Sequence, residues 1–183
     1  MANARFRKIN EDDLETIMRW RMSPNITQFM VTDPKLTIES QRKWFRKINA
    51  EEDTFYWVME VDAKPVGLVS LVEWDKHNSI IHSGAYIAEQ DGRTLQNIVD
   101  MNMNLIGYAM DSLKVNKFAI EILSNNKSQV QWMKRLGFVE EGILRQAILK
   151  GNEYYDMHLL SVLSSEWEIM KRKVRFNRYL IEE

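Results

Sequence analysis

The sequence predicts an α+β fold: a central, mostly antiparallel twisted sheet with one parallel pair of strands, flanked by helices. The chain has 183 residues, the usual size of one domain, and no Ser/Gly-rich linker divides it. Segments of strand character alternate with segments of helical period along the chain. One long helical segment connects two neighbouring strands, and such a crossover requires a parallel pair. We therefore predict a single domain over residues 1–183.

The first half of the chain predicts a short strand at 5–9, two helices and three further strands. Residues 11–22 have apolar positions at helical spacing, a loop at 22–35 holds two prolines, and Thr37 caps a second helix. Phe55–Val61 and residues 66–74 contain β-branched residues and flank the polar turn 62–65, which is typical of a hairpin. A second polar turn at 75–78 leads to a strand at 79–88.

The second half begins with the longest helical pattern. Apolar residues recur every three or four positions over 95–113. Lys117–Leu123 is a predicted strand, and Lys127–Leu136 is a predicted short helix that ends at Gly137. Residues 138–149 and 154–163 form the last hairpin around a turn at 150–152, and a polar helix begins at Ser165.

Charge and hydropathy exclude several classes of protein. Lysine and arginine number 25 and aspartate and glutamate number 26, so the formal charge of −1 gives no strong field to attract nucleic acid or a membrane surface. The basic run at 171–173 is interpreted as a solvated helix face. The sequence has no apolar stretch of about 18 residues and no signal-peptide core, so we expect a cytoplasmic protein that binds neither nucleic acid nor membrane.

Residues that bind metals or form covalent intermediates are few. The chain has no cysteine, which excludes disulfides, thiol nucleophiles and cysteine-ligated metal sites. Its three histidines are scattered, and the close pair Asp156 and His158 lacks a third ligand. We therefore expect no metal ion.

The region around the last hairpin carries the most specific motif. The segment EILSNNKSQVQWMKRLGFVEEGILRQAILKGNEYYDMHLLSVL resembles the pattern xNxxAIxLYxKxGFxxEGxxRxxxxxxGxYxDxxxxSxL of the GNAT superfamily of acyl-CoA-dependent N-acetyltransferases. The order of elements over residues 5–163 resembles that family as well.

The N-terminal helices narrow the resemblance. The segment WRMSPNITQFMVTDPKLTIESQRKWFRKI resembles the pattern WRNxPxVxxxMxTxxxIxxExHxxWF of the pseudaminic acid pathway acetyltransferases. Those enzymes acetylate the 4-amino group of UDP-4-amino-4,6-dideoxy-N-acetyl-β-L-altrosamine. The segment VGLVSLVEWDKHN is also similar to spermidine N-acetyltransferases.

The resemblance implies a site for acetyl-CoA as cosubstrate. It implies that the strands at 79–88 and 117–123 separate, so that the pantetheine arm adds to the open edge like an extra strand. It also implies that a turn at a helix N-terminus holds the diphosphate. The corresponding residues are Tyr86, Ile87, Ala88, Gly92, Arg93, Thr94, Gln96, Asn97 and Asn126. Asn126 is equally suited to capping the following helix.

The diphosphate turn departs from the family pattern. The pattern reads Arg/Gln-x-x-Gly-x-Gly/Ala, and here Gln96 and Ile98 replace both glycines. A β-carbon at each position crowds the phosphates. We expect Gly92, Arg93 and Thr94 to supply the turn instead, with weaker binding of CoA.

The usual proton donor to the leaving thiolate is also missing. In the family it is a tyrosine, and its position here is Met133, which has no proton to donate. Three alternatives follow. Water or another donor replaces the tyrosine, or Tyr86 or Tyr155 reaches the sulfur, or the protein is a slow or inactive relative.

Candidate residues for the remaining chemistry come from the strands and the first loop. The candidate bases and catalytic residues are Glu73, His82 and Tyr86, because a carboxylate or histidine can take a proton from an ammonium. The candidate acceptor-binding residues are Arg21, Asn25, Gln28 and Met30, and an arginine can hold a diphosphate through two hydrogen bonds.

Together these observations predict an N-acetyltransferase that acts on a small amine, with the 4-amino group of a UDP-amino sugar as the expected acceptor. Attack is expected to be direct, in a ternary complex, because no cysteine can carry the acetyl group. The alternatives are a polyamine or protein N-terminal acceptor, and a catalytically impaired module that binds CoA or a partner. A homodimer is expected by analogy with the family.

Overall fold

The computed structural model describes residues 3–183. The strands are β1 (Ala4–Lys8), β2 (Phe55–Val61), β3 (Lys64–Asp75), β4 (Ile80–Ile87), β5 (Lys117–Leu123), β6 (Val139–Lys150), β7 (Glu153–Leu163) and β8 (Leu180–Ile181). The α-helices are α1 (Leu14–Met22), α2 (Pro24–Thr27), α3 (Ile38–Ala50), α4 (Leu95–Gly107), α5 (Lys127–Leu136) and α6 (Ser164–Lys173).

All eight strands belong to one sheet, in the order β6-β7-β5-β4-β3-β2-β1-β8. Neighbouring strands are antiparallel except for β4 with β5 and β1 with β8. The parallel β4–β5 pair and the mostly antiparallel sheet confirm the predicted fold class, and the crossover through α4 is the physical reason for that pair. The parallel β1–β8 pair was not predicted, because a strand of two residues is too short to show an alternation of apolar and polar residues.

Three local features differ from the predicted element boundaries. Residues Glu11–Asp13 form a 3₁₀ turn before α1, closed by reciprocal hydrogen bonds between Asn10 and the turn. The predicted loop contains the one-turn helix α2, where Pro24 occupies the first turn, a position at which the missing N–H costs nothing. The last turn of the long helix, Tyr108–Ser112, is a π-helix.

Helices cover both faces of the sheet. Side chains alternate along β4, so Ile81 and Ile87 enter a core that also contains residues of α4 and α6, whereas Tyr86 and Ala88 pack with α1 and α3. The sheet therefore has an α4 face and an α1/α3 face, and these names are used below. No helix within residues 3–183 is long and apolar enough to cross a membrane.

The C-terminal segment is fastened to α4 by buried polar groups. The Asp100 carboxylate, 2% exposed, accepts hydrogen bonds from the backbone and side-chain amides of Asn177, each at 2.8 Å. Asn104 donates to the Asn177 carbonyl at 2.7 Å and accepts from the Tyr179 amide at 2.8 Å. These contacts direct the chain back to β1, where β8 adds to the edge of the sheet.

Candidate active site

The central feature is a gap between the two parallel strands. β4 and β5 pair at only three positions, and the last of them joins His82 to Ala119. Beyond that point the strands separate and line a cavity of about 480 Å³. The predicted separation of these strands is therefore present, and the edge of β4 from Ser83 to Ile87 has no strand partner on the β5 side within the described chain.

The two faces of the gap carry different chemistry. On the α4 face the lining includes the apolar residues Ile98, Met101 and Met133 together with the polar residues Asn102 and Gln129. On the α1/α3 face the lining includes Asn25, Phe29 and Met30, which belong to α2 and the segment after it. The gap thus passes through the sheet and connects a side bounded by α4 and α5 with a side bounded by the first loop.

Glu121 is a site residue that the sequence analysis missed. Its β5 neighbours Ile120 and Ile122 pack in the α4-side core, so Glu121 lies on the α1/α3 face. Extending the register from His82 and Ala119 places it level with Gly84, which has no side chain. Glu121 lines the cavity, is exposed, and has no hydrogen-bond or ion-pair partner within residues 3–183. A charged residue that interrupts an apolar strand was the available signal.

The three predicted catalytic residues lie at different places. Tyr86 lines the gap, and its buried hydroxyl has no hydrogen-bond partner among the described residues. Burial raises the pKa of Tyr86, and the charge of Arg21 only partly opposes that shift. His82 is on the same face, at the apex where the strands part. Glu73 is exposed in a bulge of β3 with a φ of 53° and is not among the residues that line the cavity.

The predicted diphosphate turn differs from the expectation in its hydrogen bonding. The amides of Gly92, Arg93 and Thr94 bond to carbonyls within the turn, at 3.1, 3.0 and 2.9 Å, so they point inward. In the described chain, the amides without a partner at this end of α4 are those of Leu95 and Gln96, both exposed to solvent. These two N–H groups, at the positive end of the helix, are the ones available to an anion.

Two of the predicted cofactor residues support the turn from inside. Asn97 is buried and donates from its side chain to the Gly92 carbonyl at 3.0 Å. Thr94 caps α4, because its hydroxyl accepts from the Asn97 amide at 3.1 Å. Gly92 lies where a β-carbon would come within 2.7 Å of Val66 Cβ, so its role is close packing. The Gln96 side chain donates to Asp100 at 2.7 Å.

Asn126 occupies the position expected from both interpretations. It is the N-cap residue of α5 and also lines the cavity. Its side chain makes no capping bond to the helix backbone. Its Oδ1 accepts a hydrogen bond from the Ser128 hydroxyl at 3.5 Å, and its Nδ2 has no partner within residues 3–183 and is available to the gap.

The loop at 22–35, which is predicted to bind the acceptor, is held by three side chains from other parts of the fold. Arg21 donates to the Thr27 hydroxyl and to the carbonyl and hydroxyl of Thr32, all at 2.8–3.1 Å. Burial lowers the pKa of Arg21, although Tyr86 and Asp33 oppose this. Asn125 donates to the Gln28 carbonyl at 2.8 Å. Asn25 and Met30 line the cavity directly, whereas Arg21 and Gln28 shape the loop.

Lys150 is the third of these side chains and was not predicted. It lies at the tip of the β6–β7 hairpin and is 10% exposed. Its ammonium donates to the Thr27 carbonyl at 2.8 Å and the Met30 carbonyl at 2.6 Å, and pairs with Asp33 at 2.9 Å. The hydrogen bond from Lys150 is the main reason that the pKa of Asp33 is lowered. The last hairpin thereby closes one side of this loop, which is predicted to bind the acceptor.

The structure also shows where the candidate proton donors and the candidate metal pair lie. Met133 is 2% exposed and lines the cavity, and the Tyr155 hydroxyl bonds to Glu153 at 2.7 Å outside the cavity lining. The hydroxyl-bearing residues that do line the cavity are Ser83, Tyr86 and Ser128. The Asp156 carboxylate accepts from the Gln146 amide, and His158 bonds to Glu140, so these two side chains have separate partners.

Comparisons with known proteins support the same interpretation. A family model described as an acetyltransferase (GNAT) domain matches residues 6–159. The protein YdaF of Bacillus subtilis, provisionally named as a ribosomal N-acetyltransferase, is 31% identical over 108 residues, which is 58% of either chain. Acetyltransferase PseH of Campylobacter jejuni is 24% identical over 127 residues, 69% of this chain and 76% of that one.

The solved structures agree on the fold. The crystal structure of spermidine N-acetyltransferase from Vibrio cholerae in complex with CoA and spermine has a TM-score of 0.85 at 19% identity, and the match covers 91% of this chain and 98% of that chain. These relatives differ in their acceptors, and the identities are too low to assign one acceptor. What the match over residues 6–159 establishes is that the chain belongs to the GNAT family of acetyltransferases, which use acetyl-CoA.

Proposed function

We propose that this protein transfers an acetyl group from acetyl-CoA to the amino group of a small acceptor, a UDP-linked 4-amino sugar, by direct attack in a ternary complex. The observation that carries the proposal is the gap between β4 and β5, which leaves one strand edge open beside a cavity of about 480 Å³. An extended amide-containing chain can add to such an edge through backbone hydrogen bonds.

The groups on the donor side fit acetyl-CoA. The open edge of β4 offers backbone groups to the two amides of the pantetheine arm, and Asn126 lines the gap near them. The open amides of Leu95 and Gln96 lie at the N-terminus of α4, where an anion is stabilised by about 0.3–1 kcal/mol per favourable charge contact. The diphosphate is therefore proposed to contact these amides, while Gly92, Arg93 and Thr94 shape the turn beneath them.

Glu121 is the proposed base. When the neutral amine attacks the thioester carbonyl, an N–C bond forms, the C–S bond breaks and the nitrogen loses a proton. Glu121 can accept that proton directly or through one water, because it is unpaired and faces the acceptor side of the gap. Tyr86 shares this face, lines the cavity and is proposed to bound the acceptor beside the reacting nitrogen. His82 lies on the same face at the apex of the gap, outside the cavity lining. The CoA thiolate takes its proton from water or from a lining hydroxyl, since Met133 has none.

The charges around the acceptor loop favour an anionic acceptor over a polyamine. Arg21 and Lys150 supply two positive charges there and Asp33 supplies one negative charge. All the hydrogen bonds that Arg21 makes in the described chain are to neutral oxygens, and the nearby Asp33 carboxylate acts on it through charge alone. A polyamine carries several positive charges, whereas Glu121 is the only carboxylate that lines the cavity within residues 3–183.

The test is release of CoA thiol from acetyl-CoA in the presence of different amines. We expect turnover with the UDP-4-amino-4,6-dideoxy sugar that exceeds turnover with spermidine or with a peptide N-terminus. Preference for spermidine would replace the proposed acceptor with a polyamine. Absence of CoA release with every amine, although CoA binds, would identify a binding module instead.

A second measurement tests the base. Glu121→Gln should lower kcat by about 10²-fold or more, because a general base contributes about 10²–10⁴-fold. Glu39→Gln, on the exposed surface of α3, is the matched control and should leave kcat unchanged. A kcat for Glu121→Gln within threefold of wild type would exclude Glu121 as the base.

A further inference from the structure

Arg93 makes hydrogen bonds that its place in the diphosphate motif does not explain. Its side chain turns back from the start of α4 onto the end of β4. Nε donates to the Ile87 carbonyl at 2.7 Å, and Nη2 donates to the Ala88 carbonyl at 3.1 Å. A guanidinium that bridges two successive carbonyls fixes the direction of both peptide groups, because its donors lie in one rigid plane.

The Ile87 carbonyl faces the gap. The amide of Ala88 points toward β3, where it donates to the Val66 carbonyl at 2.7 Å. In a trans peptide the C=O points opposite to the N–H of the next residue, so the Ile87 carbonyl points away from β3, toward the β5 side. On that side β4 has no strand partner in the described chain. Arg93 therefore contacts the strand edge that the acyl carrier would use.

We infer that Arg93 is a positioning residue for the acyl-carrier arm, acting through the open edge of β4, and that it is not primarily a diphosphate ligand. The Ile87 carbonyl has two lone pairs, so it can keep the bond from Arg93 and still accept from an amide of the arm. Arg93 holds this carbonyl at the angle that the arm requires. The inference rests on the proposed acetyl-CoA site. It adds that Arg93 serves the pantetheine arm, whereas the amides at the start of α4 serve the diphosphate.

The hydrogen bonds of the turn support this assignment. The backbone amide of Arg93 is occupied by the Gln90 carbonyl at 3.0 Å, so it is not free for a phosphate. Two of the guanidinium donors are used on β4. The amides of Leu95 and Gln96, two and three residues further on, have no partner within residues 3–183 and are open to an anion.

A donor that lacks the diphosphate separates the two roles. Pantetheine contains the amide arm but no phosphate, whereas CoA contains both. Dissociation constants for CoA and pantetheine are measured by protein-observed NMR titration, which reaches the millimolar range and does not depend on turnover. The variants are Arg93→Met and Arg93→Lys, and Arg42→Met, an exposed arginine of α3, is the matched control.

The positioning role predicts that Arg93→Met weakens CoA and pantetheine by the same factor, about tenfold, which corresponds to about 1.4 kcal/mol. It also predicts that Arg93→Lys fails similarly, because one ammonium cannot reproduce the fork on two carbonyls. In parallel, kcat/KM should fall by the same factor with acetyl-CoA and with S-acetylpantetheine. The far-ultraviolet spectrum and melting temperature of each variant confirm that it is folded.

Two results would overturn the inference. If Arg93→Met weakens CoA alone, or if Arg93→Lys retains CoA binding, then Arg93 acts as a charge on the diphosphate. If neither ligand is affected, Arg93 has no role in binding. If either result is found while the wild-type protein binds CoA, the inference fails and the proposed function stands. If the wild-type protein binds neither CoA nor pantetheine, both proposals fail.

Discussion

Replacement of Lys150 by methionine tests how the last hairpin shapes the acceptor side. Methionine retains an unbranched apolar side chain and removes the ammonium, which is nearly enclosed at 10% exposure. The substitution leaves the carbonyls of Thr27 and Met30 without their charged donor. The loop that carries Asn25 and Met30 to the cavity then has one fewer connection to the rest of the fold.

The expected cost follows from the two hydrogen bonds to backbone. A bond to a charged group contributes about 1.5–3 kcal/mol when buried. Both carbonyls belong to a half-exposed loop that water can reach, so we expect a total loss of about 2 kcal/mol, less than the sum for two fully buried bonds. For a chain of this length, about 2–4 °C of melting temperature accompanies each kcal/mol, which gives a fall of about 4–8 °C.

The functional effect should be confined to the acceptor. The KM for the amine is expected to rise by about tenfold, equivalent to about 1.4 kcal/mol, while the KM for acetyl-CoA changes less than twofold. Lys64→Met, at the exposed first position of β3, is the control and should change neither constant. An unchanged amine KM, or an equal rise in both KM values, would show that Lys150 does not position the acceptor loop.

Three further substitutions test separate parts of the structure. Gly92→Ala places a β-carbon 2.7 Å from Val66 Cβ. Chemical denaturation should therefore show a loss of about 1–3 kcal/mol in unfolding free energy, and CoA should bind more weakly. An unchanged stability would mean that the turn relaxes freely. Met133→Tyr should raise kcat where proton delivery to the thiolate is limiting, and an unchanged kcat with retained folding would argue against a missing donor. Burial opposes ionisation of Glu60, but hydrogen bonds from arginine outweigh it and lower its pKa from 4.5. The ionised Glu60 carboxylate therefore stabilises the fold fully above about pH 4.5, and this contribution is lost as the pH falls through the lower pKa of the folded protein. The difference in unfolding free energy between wild type and Glu60→Gln should accordingly shrink in acid. A difference that stays constant with pH would contradict this.

Much of the fold was predictable because local patterns and connectivity determine it. β-Branched segments between polar turns identified β2 and β3, helical spacing identified α1, α3 and α4, and the crossover through α4 required a parallel β4–β5 pair. The two-residue strand β8 could not be predicted, because its position depends on the contacts of Asn177 with α4, more than 70 residues away in sequence.

The candidate site was only partly predictable. The motif located the open edge of β4 at Tyr86 and Ile87, as well as the turn before α4. It did not indicate that Lys150 reaches the acceptor loop, since this contact spans more than 100 residues and depends on how the last hairpin packs. Nor did it show that Glu121 faces the gap, or that Glu73 lies in an exposed bulge of β3.

The sequence by itself determined the chemical repertoire: no thiol for a covalent acetyl intermediate, methionine at position 133, and the order of strands and helices. The tertiary structure decided which groups meet. The amides of Leu95 and Gln96 have no partner within residues 3–183, side-chain hydrogen bonds hold Arg93 on the end of β4, and the β4–β5 pairing ends at His82. The physical reason is that a hydrogen bond depends on position and direction in space, and long-range packing sets both.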